Sequence, residues 1–426
     1  MGKLKALIEE IKTSEFFRNV LILSSGTALA QLIPLIIAPF LSRIYSPEEF
    51  GRLALYLAIT QILGSLATGR YELAILLPKE ERKGVQLTLL SIFISVAVSL
   101  IALIGVLFFR SEIAVLLGDP KLEKWLYLVP LSVLMIGCFN ALNYFNTRSK
   151  QFKNIARANV FKSSGGGLVQ LGLGALNFTS GGLILGQTLS HFFGNIRLSK
   201  AFLKYRDVIL GSKAQEIQKL ARRYVDFPKF SMWGIFFNSI SVNVGNFFIS
   251  WFYGLFPLGH YSFAYKYLGF PIILVGNSVG QVYFQKLSEN KENQKKALSI
   301  FIGTIKKLTL VGAFIFIPGY FIVEHLFVFV FGEEWGEAGG YAKILLPLFY
   351  VRLIVVPVTV TNSIYEKQKI SFYWQLGLVL ITLGIFLLAY VLKLSLSTML
   401  LVQVIALSFH YFVLIFIMWK IIQGKL

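Results

Sequence analysis

The sequence predicts an all-α polytopic membrane protein with about twelve transmembrane helices in two halves of six. Three observations carry this. Of the 426 residues, 56% are hydrophobic and 15% charged, with mean hydropathy +0.68, which is more apolar surface than a water-soluble chain of this length can hide. Apolar runs of about 20 residues recur down the chain, each long enough to cross roughly 30 Å of hydrocarbon. Lysine and arginine fall unevenly between alternate connecting segments, the mark of a fixed orientation in the bilayer. Lipid offers the backbone no hydrogen-bond partner, so the spans are expected as helices. A membrane β-barrel would instead alternate polar and apolar residues over ~10-residue segments.

Residues 1–18 place Leu4, Leu7, Ile8 and Ile11 at helical spacing among charges, which reads as an amphipathic helix lying on the membrane surface. The first apolar run begins near Asn19 and is too long for the core of a removable signal peptide. Six spans follow, at 19–41, 50–69, 85–109, 123–145, 159–178 and 180–199, and make an N-terminal lobe over 19–199. The longest polar interruption, "AFLKYRDVILGSKAQEIQKLARRYVDFP", makes 200–228 a cytoplasmic linker. Six more spans, at 229–252, 259–283, 300–323, 339–363, 372–392 and 395–421, make a C-terminal lobe over 229–426. With both termini in the cytoplasm, 30 of the 41 Lys and Arg residues lie in or beside cytoplasmic segments and 6 outside, which sets the orientation. The five that remain, Arg52, Lys266, Lys306, Lys307 and Arg352, fall within spans. "SPEEFGRLALY" (46–56) and "FPLGHYSFAYK" (256–266) match after a shift of 210 residues, which aligns Pro47 with Pro257 and Ala54 with Ala264. Six plus six spans of the same orientation imply a parallel pseudo-repeat about an axis along the membrane normal.

Four stretches carry a family resemblance: "YSPEEFG" (45–51), "RYELAILLP" (70–78), "YFNTRSKQFKNIARANVFKS" (144–163) and "RRYVDFPKFSMWGIFFNSIS" running on to "GHYSFAYKYLGFP" (222–271). In these the chain resembles the Wzx-like oligosaccharide flippases of the polysaccharide-transporter family, within the multidrug/oligosaccharidyl-lipid/polysaccharide (MOP) exporter superfamily. The resemblance implies two six-helix lobes around a central cavity lined by spans 1, 2, 7 and 8. It implies transport rather than catalysis, in the cytoplasmic membrane, with a polyprenyl-diphosphate-linked sugar turned from the inner to the outer leaflet. The partners expected are that lipid-linked sugar, the membrane lipids and other polysaccharide-assembly proteins, with no nucleic acid and no cofactor.

Charge at depth narrows the chemistry independently. Most of the formal +20 is the positive-inside excess, which binds anionic headgroups and needs no further role. An ionisable group inside a span costs at least a few kcal/mol and normally faces a protein interior or a wet cavity. Lys266 lies about 10 Å into span 8, Arg52 near the outer start of span 2, and Arg352 in the middle of span 10. No acid is expected at comparable depth, so these cations would await an anion, and a diphosphate fits them. The competing reading has Arg52 and Lys266 snorkelling to headgroups, and Lys306 and Lys307 anchoring a helix end.

Arg70 and Glu72 follow a complete span and sit near its cytoplasmic mouth. On a continuous helix they would differ by about 200° and share no face. Arg70 is therefore assigned to the mouth of the cavity and Glu72 to a structural counter-charge, against a plainer reading of both as interfacial residues. Pro34, Pro39, Pro271, Pro347 and Pro357 fall within spans and would bend them, either for motion or only for packing. "SSGGGLVQLGLG" (163–174) lacks the ending of a phosphate loop, and its glycines are expected to let spans 5 and 6 pack closely.

Two rivals remain. A MATE-like drug exporter of the same superfamily would need an intramembrane acid for ion coupling, and span 1 has none. A membrane polysaccharide polymerase or ligase would need acids or histidines arranged for catalysis, whereas His191, His260, His325 and His410 are scattered and show no metal spacing. The one cysteine, Cys138, permits no internal disulfide and reads as a buried thiol.

Overall fold

The computed structural model describes residues 15–426, with backbone alone for 15–25 and for Asn277 and Ser278. The surface helix expected over 1–18 therefore lies outside the described residues as far as residue 14. Each of the twelve expected spans falls mostly on helix. Among the described residues eight helices are long and apolar enough to cross a membrane, and nine if one bent pair counts as a single span. The chain is thus an all-α, multi-pass membrane protein.

The chain divides into two units, one of 1–45 with 52–247 and the other of 46–51 with 248–426. The first contains α1 (Glu15–Ile44), most of α2 (Pro47–Gly64), α3 (Glu81–Leu116), α4 (Val129–Arg148), α5 (Phe152–Ala175), α6 (Thr179–Phe202) and the short amphipathic α7 (Ala214–Arg223). Helix α5 packs between α1 and α6, and α4 between α3 and α6. The glycine run makes the α5–α6 contact possible: a Cβ on Gly166 would lie 2.6 Å from Ser190 Cβ, and one on Gly186 2.8 Å from the Gly166 carbonyl oxygen. The expected span 123–145 is interrupted. A short helical segment over Pro120–Leu126 meets α4 at 51°, and Pro130 stands in the first turn of α4.

The polar stretch 200–228 folds onto this unit. Leu220 of α7 is buried in a cluster with Tyr71, Ala74, Ile75 and Leu87, and Tyr71 Oη donates to the Ala221 carbonyl at 2.9 Å. Arg82 pairs with Glu216 at 2.9 Å across the same surface. Hydrogen bonding to Arg82 holds the Glu216 carboxyl below its ordinary pKa.

The second unit holds α9 (Leu255–Leu268), α10 (Phe270–Glu289), α11 (Gln294–Phe331), α12 (Gly336–Val355), α13 (Gln368–Val391) and α14 (Leu396–Ile422), while α8 (Met232–Tyr253) contributes its last turns. Helix α12 is its centre and packs on α9, α11 and α14. The two stretches matched as a repeat meet inside this unit. A Cβ on Gly51 would lie 2.2 Å from the Leu255 carbonyl oxygen, and one on Gly259 1.8 Å from that of Pro47. Only glycine permits so close an approach of two backbones. Phe50 fills the space beside it, edge-on to Phe263 and Trp335 at 5.2 and 5.1 Å.

The prolines divide by position. Pro34 and Pro39 lie inside α1 and Pro347 inside α12. Pro271 opens α10 in its first turn, where a missing N–H costs nothing. Pro357 sits in a 3₁₀ turn, Val356–Val358, that ends α12 before the expected span is complete.

Candidate functional site

The site of interest begins where α2 ends. The expected helix to residue 69 stops at Gly64, and the chain turns through Gly69 (φ 58°) and Arg70 (φ 64°) into a one-turn helix, Tyr71–Ala74. Glycine enters the left-handed region freely; arginine does so at some cost. That elbow overturns the expectation that Arg70 and Glu72 point apart. Arg70 Nη1 lies 3.1 Å from Glu72 Oε1, Thr68 donates to the other carboxylate oxygen, and Arg70 Nε donates to Ser231 Oγ at 3.4 Å. The Arg148 guanidinium secures the loop beyond by donating to the carbonyls of Ile75 at 2.8 Å and Glu80 at 3.0 Å. The Glu72 side chain is 3% exposed and that of Arg70 24%, so the acid is buried and the base retains an open face.

Arg70 and Glu72 line a cavity of about 380 Å³ that lies wholly within the first unit. Its wall is rich in hydrogen-bonding groups. Gln61, Asn140 and Gln187 supply amides. Tyr56 Oη meets Ser132 Oγ at 2.7 Å and Thr188 Oγ1 at 2.9 Å, cross-linking α2, α4 and α6. Lys162 and His191 also line it. The Lys162 ammonium stands 4.7 Å from the centre of the Phe139 ring, a cation–π contact, and forms no ion pair among the described residues. His191 packs edge-on to the same ring. Such a wall offers hydroxyls and amides to a polyol and cations to an anion.

Arg52 is elsewhere in the first unit, and here the reading from sequence is corrected. Its Nε and Nη2 grip both carboxylate oxygens of Asp119 at 2.6 and 3.1 Å, and Nη1 donates to Ser180 Oγ at 3.2 Å. Both partners are buried, Arg52 6% and Asp119 2% exposed, so an acid does lie at the depth of this base. The fork of donors is committed, which makes Arg52 a clamp between the 118–120 loop and α6.

Arg352 belongs to the second unit. Its Nη1 donates to Tyr265 Oη at 2.6 Å, its guanidinium lies 5.0 Å over the Phe349 ring, and its buried Nε has no hydrogen-bond partner among the described residues. Lys266 is exposed, with its ammonium 5.4 Å from the Tyr267 ring centre. Neither pairs with a carboxylate among the described residues. No group of three or more His, Cys, Asp or Glu is gathered among the described residues to hold a metal ion.

Sequence reasoning missed two residues. Asp119 was hidden in a loop, although Gly118–Asp119–Pro120 is turn chemistry that can return an acid to the protein. Lys162 was counted with the basic segment at the start of the span expected over 159–178, but it lies about a turn and a half beyond Arg157 within α5.

Fold and site together define a multi-pass α-helical membrane protein with a polar, cationic cavity. The chain is similar over its full length to solved transporters: to the inward-facing conformation of a multidrug resistance MATE family transporter of the MOP superfamily, with TM-score 0.73, 13% identity and 95% and 94% of the two chains covered. It is similar to the lipid II flippase MurJ in an inward closed conformation, with TM-score 0.68, 15% identity and 95% and 90% covered. At such identities the likeness concerns the fold. Residues 40–339 match the polysaccharide biosynthesis protein family, and the chain belongs to it. The succinoglycan biosynthesis transport protein ExoT of Rhizobium meliloti (strain 1021) is 24% identical over 310 residues, which are 70% of this chain and 59% of ExoT. The chain thus spans less than two thirds of that relative's length. The polysaccharide-transporter resemblance read from the four sequence stretches holds.

Proposed function

We propose that this protein is a flippase that carries a polyprenyl-diphosphate-linked oligosaccharide across the cytoplasmic membrane for surface polysaccharide assembly. The observation that carries the reading is the cavity of the first unit, where Arg70 keeps an open face and Lys162 has no counter-ion among the described residues, beside a wall of hydroxyls and amides. Membership of a polysaccharide biosynthesis family and similarity to a succinoglycan transport protein and to a lipid II flippase support the same substrate class. In this reading both termini are cytoplasmic, lobes 19–199 and 229–426 are joined by 200–228, and the cycle is one of alternating access. Arg70 receives the diphosphate, and Lys266 and Arg352 hold it later in the passage. Several separated cations suit this task, because each charge-assisted contact is worth ~1.5–3 kcal/mol and a single deep site would not release its cargo.

The test is complementation of surface polysaccharide in a deletion strain, with protein level followed by blot. Arg70→Ala and Lys162→Ala should lose most activity at normal protein level, while Arg70→Lys keeps part of it. Full activity in both alanine variants would remove the cationic reading. The MATE-like fold supports one second reading, export of a small molecule. Raised drug sensitivity of the deletion strain with unchanged polysaccharide would favour it.

A further inference from the structure

A second cavity, of about 530 Å³, lies wholly within the second unit and is lined by none of the cations discussed above. It is a groove between α11, α12 and α14, and its two ends differ in kind. One end, next to the Glu333–Trp335 turn that joins α11 to α12, holds Glu324, Glu337, Lys343, Tyr320 and Tyr341. The other is walled by Ile344, Pro347, Leu401, Val404 and Ile405. Along α14 the lining runs from Ser397 to Ile405, about 12 Å at 1.5 Å per residue. Along α12 it runs from Glu337 to Pro347, about 15 Å. The wall thus passes from polar to apolar along the helices, its apolar stretch from Leu401 to Ile405 covering about 6 Å. Leu401 and Ile405 are 48% and 70% exposed on one helix apolar enough to cross a membrane, so the apolar end is open rather than packed by the protein.

Charge selects the occupant. The polar end carries two carboxylates and one ammonium. Lys343 pairs with Glu324 at 3.1 Å and lies 5.6 Å over the Tyr320 ring, while Glu337 has only a long contact, 3.5 Å, from the Tyr341 hydroxyl. One negative charge is therefore left over. A lysine ammonium has three donors, and Glu324 takes one. We infer that the groove is a binding site for a zwitterionic membrane lipid with a primary-amine headgroup. Its ammonium donates to Glu337 and its phosphate accepts from Lys343 beside the Ser397 hydroxyl. One acyl chain lies along Pro347, Leu401 and Ile405. A quaternary ammonium has no N–H to donate, and a purely anionic headgroup brings a second negative charge to a groove that already has an excess.

The test is native mass spectrometry of the full-length protein in detergent, titrated separately with phosphatidylethanolamine, phosphatidylcholine and phosphatidylglycerol of identical chains. Phosphatidylethanolamine should be retained preferentially by about tenfold, the effect of one charge-assisted hydrogen bond. Glu337→Gln should abolish that preference. Ile405→Trp, a change on an exposed face that leaves the headgroup residues intact, should weaken retention by narrowing the apolar end. Glu334→Gln, in the neighbouring turn, should change nothing. Equal retention of the three lipids overturns the site, as does a preference that survives Glu337→Gln or falls equally with Glu334→Gln. Binding does not depend on transport, so failure here leaves the flippase reading standing.

Discussion

Arg52 and Arg70 lie eighteen positions apart in the same unit; from sequence, Arg52 was read as a cation awaiting an anion and Arg70 as a cation at the mouth of the cavity. The structure separates them. Arg52 is a closed unit of charge, its guanidinium bound bidentately to Asp119 and tied to Ser180. Arg70 shares one oxygen of Glu72 at 3.1 Å, touches Ser231 at a long 3.4 Å, and lines a cavity. Depth in a span shows that a charge must be answered; it does not show by what. A base answered by a folded-back acid holds the protein together. A base answered partly by the protein has capacity left for a ligand.

The largest expected effect lies on the closed side. Arg52→Ala leaves Asp119 buried without its partner, and breaking such a pair typically costs ~3–5 kcal/mol. The variant should show a sharp loss of thermal stability and yield in detergent. Adding Asp119→Ala should recover part of the loss, since removing both charges removes the uncompensated one. Arg70→Ala should lose clearly less stability, because Thr68 still donates to the Glu72 carboxylate and the cavity beside it admits water. If Arg52→Ala melts normally, or if Arg70→Ala is the unstable variant, the division between clamp and contact is reversed.

An intermediate effect is expected at Glu72. Glu72→Gln removes the counter-charge from Arg70 but keeps a side chain that Thr68 can still hydrogen-bond. Freed of its partner, Arg70 should hold an anionic headgroup more tightly and release it more slowly. In reconstituted vesicles the apparent affinity for lipid-linked sugar should rise while the turnover rate falls. A fall in both would mean that Glu72 only shapes the loop. The scale is that of one ionic contact, ~1.5–3 kcal/mol.

How far the sequence could be read follows from the same residues. Spans are legible because lipid demands twenty apolar residues in a row, and each of the twelve expected segments is mostly helical. Breaks within spans are less legible. The path through Gly69 and Arg70 depends on two positive φ values, which no apolar pattern records, and reading a continuous helix there sent Arg70 and Glu72 to opposite sides. Asp119 was lost for a related reason. Its loop returns through Gly118 at φ 72°, and its side chain both caps the next turn at Lys121 N and meets Arg52, 67 positions away. Lys162 shows the opposite failure. A lysine near the end of a span counts toward orientation whether it reaches headgroups or a cavity, and only the position of Phe139 and His191 around it distinguishes the two.

The smallest effect belongs to an exposed ion pair, Arg82 with Glu216, which shows what pairing is worth when water competes. Its side chains are 52% and 39% exposed. Arg82 lowers the Glu216 pKa from its ordinary 4.5, chiefly through their hydrogen bond. A carboxyl whose folded pKa lies below its unfolded one stabilises the fold above the unfolded value and loses that contribution as pH falls through the folded value. At neutral pH the contribution is therefore complete. It should begin to fade below about pH 4.5 and vanish once Glu216 is protonated in the folded protein as well. Glu216→Gln should lower the melting temperature slightly at pH 7 in low salt. The difference from wild type should shrink as pH falls below 4.5, and also as salt screens the pair. The Arg52–Asp119 pair, buried away from ions, should not respond to salt in this way. An offset between Glu216→Gln and wild type that stays constant with pH and salt would show that the position matters for packing of α7 on α3 rather than for charge.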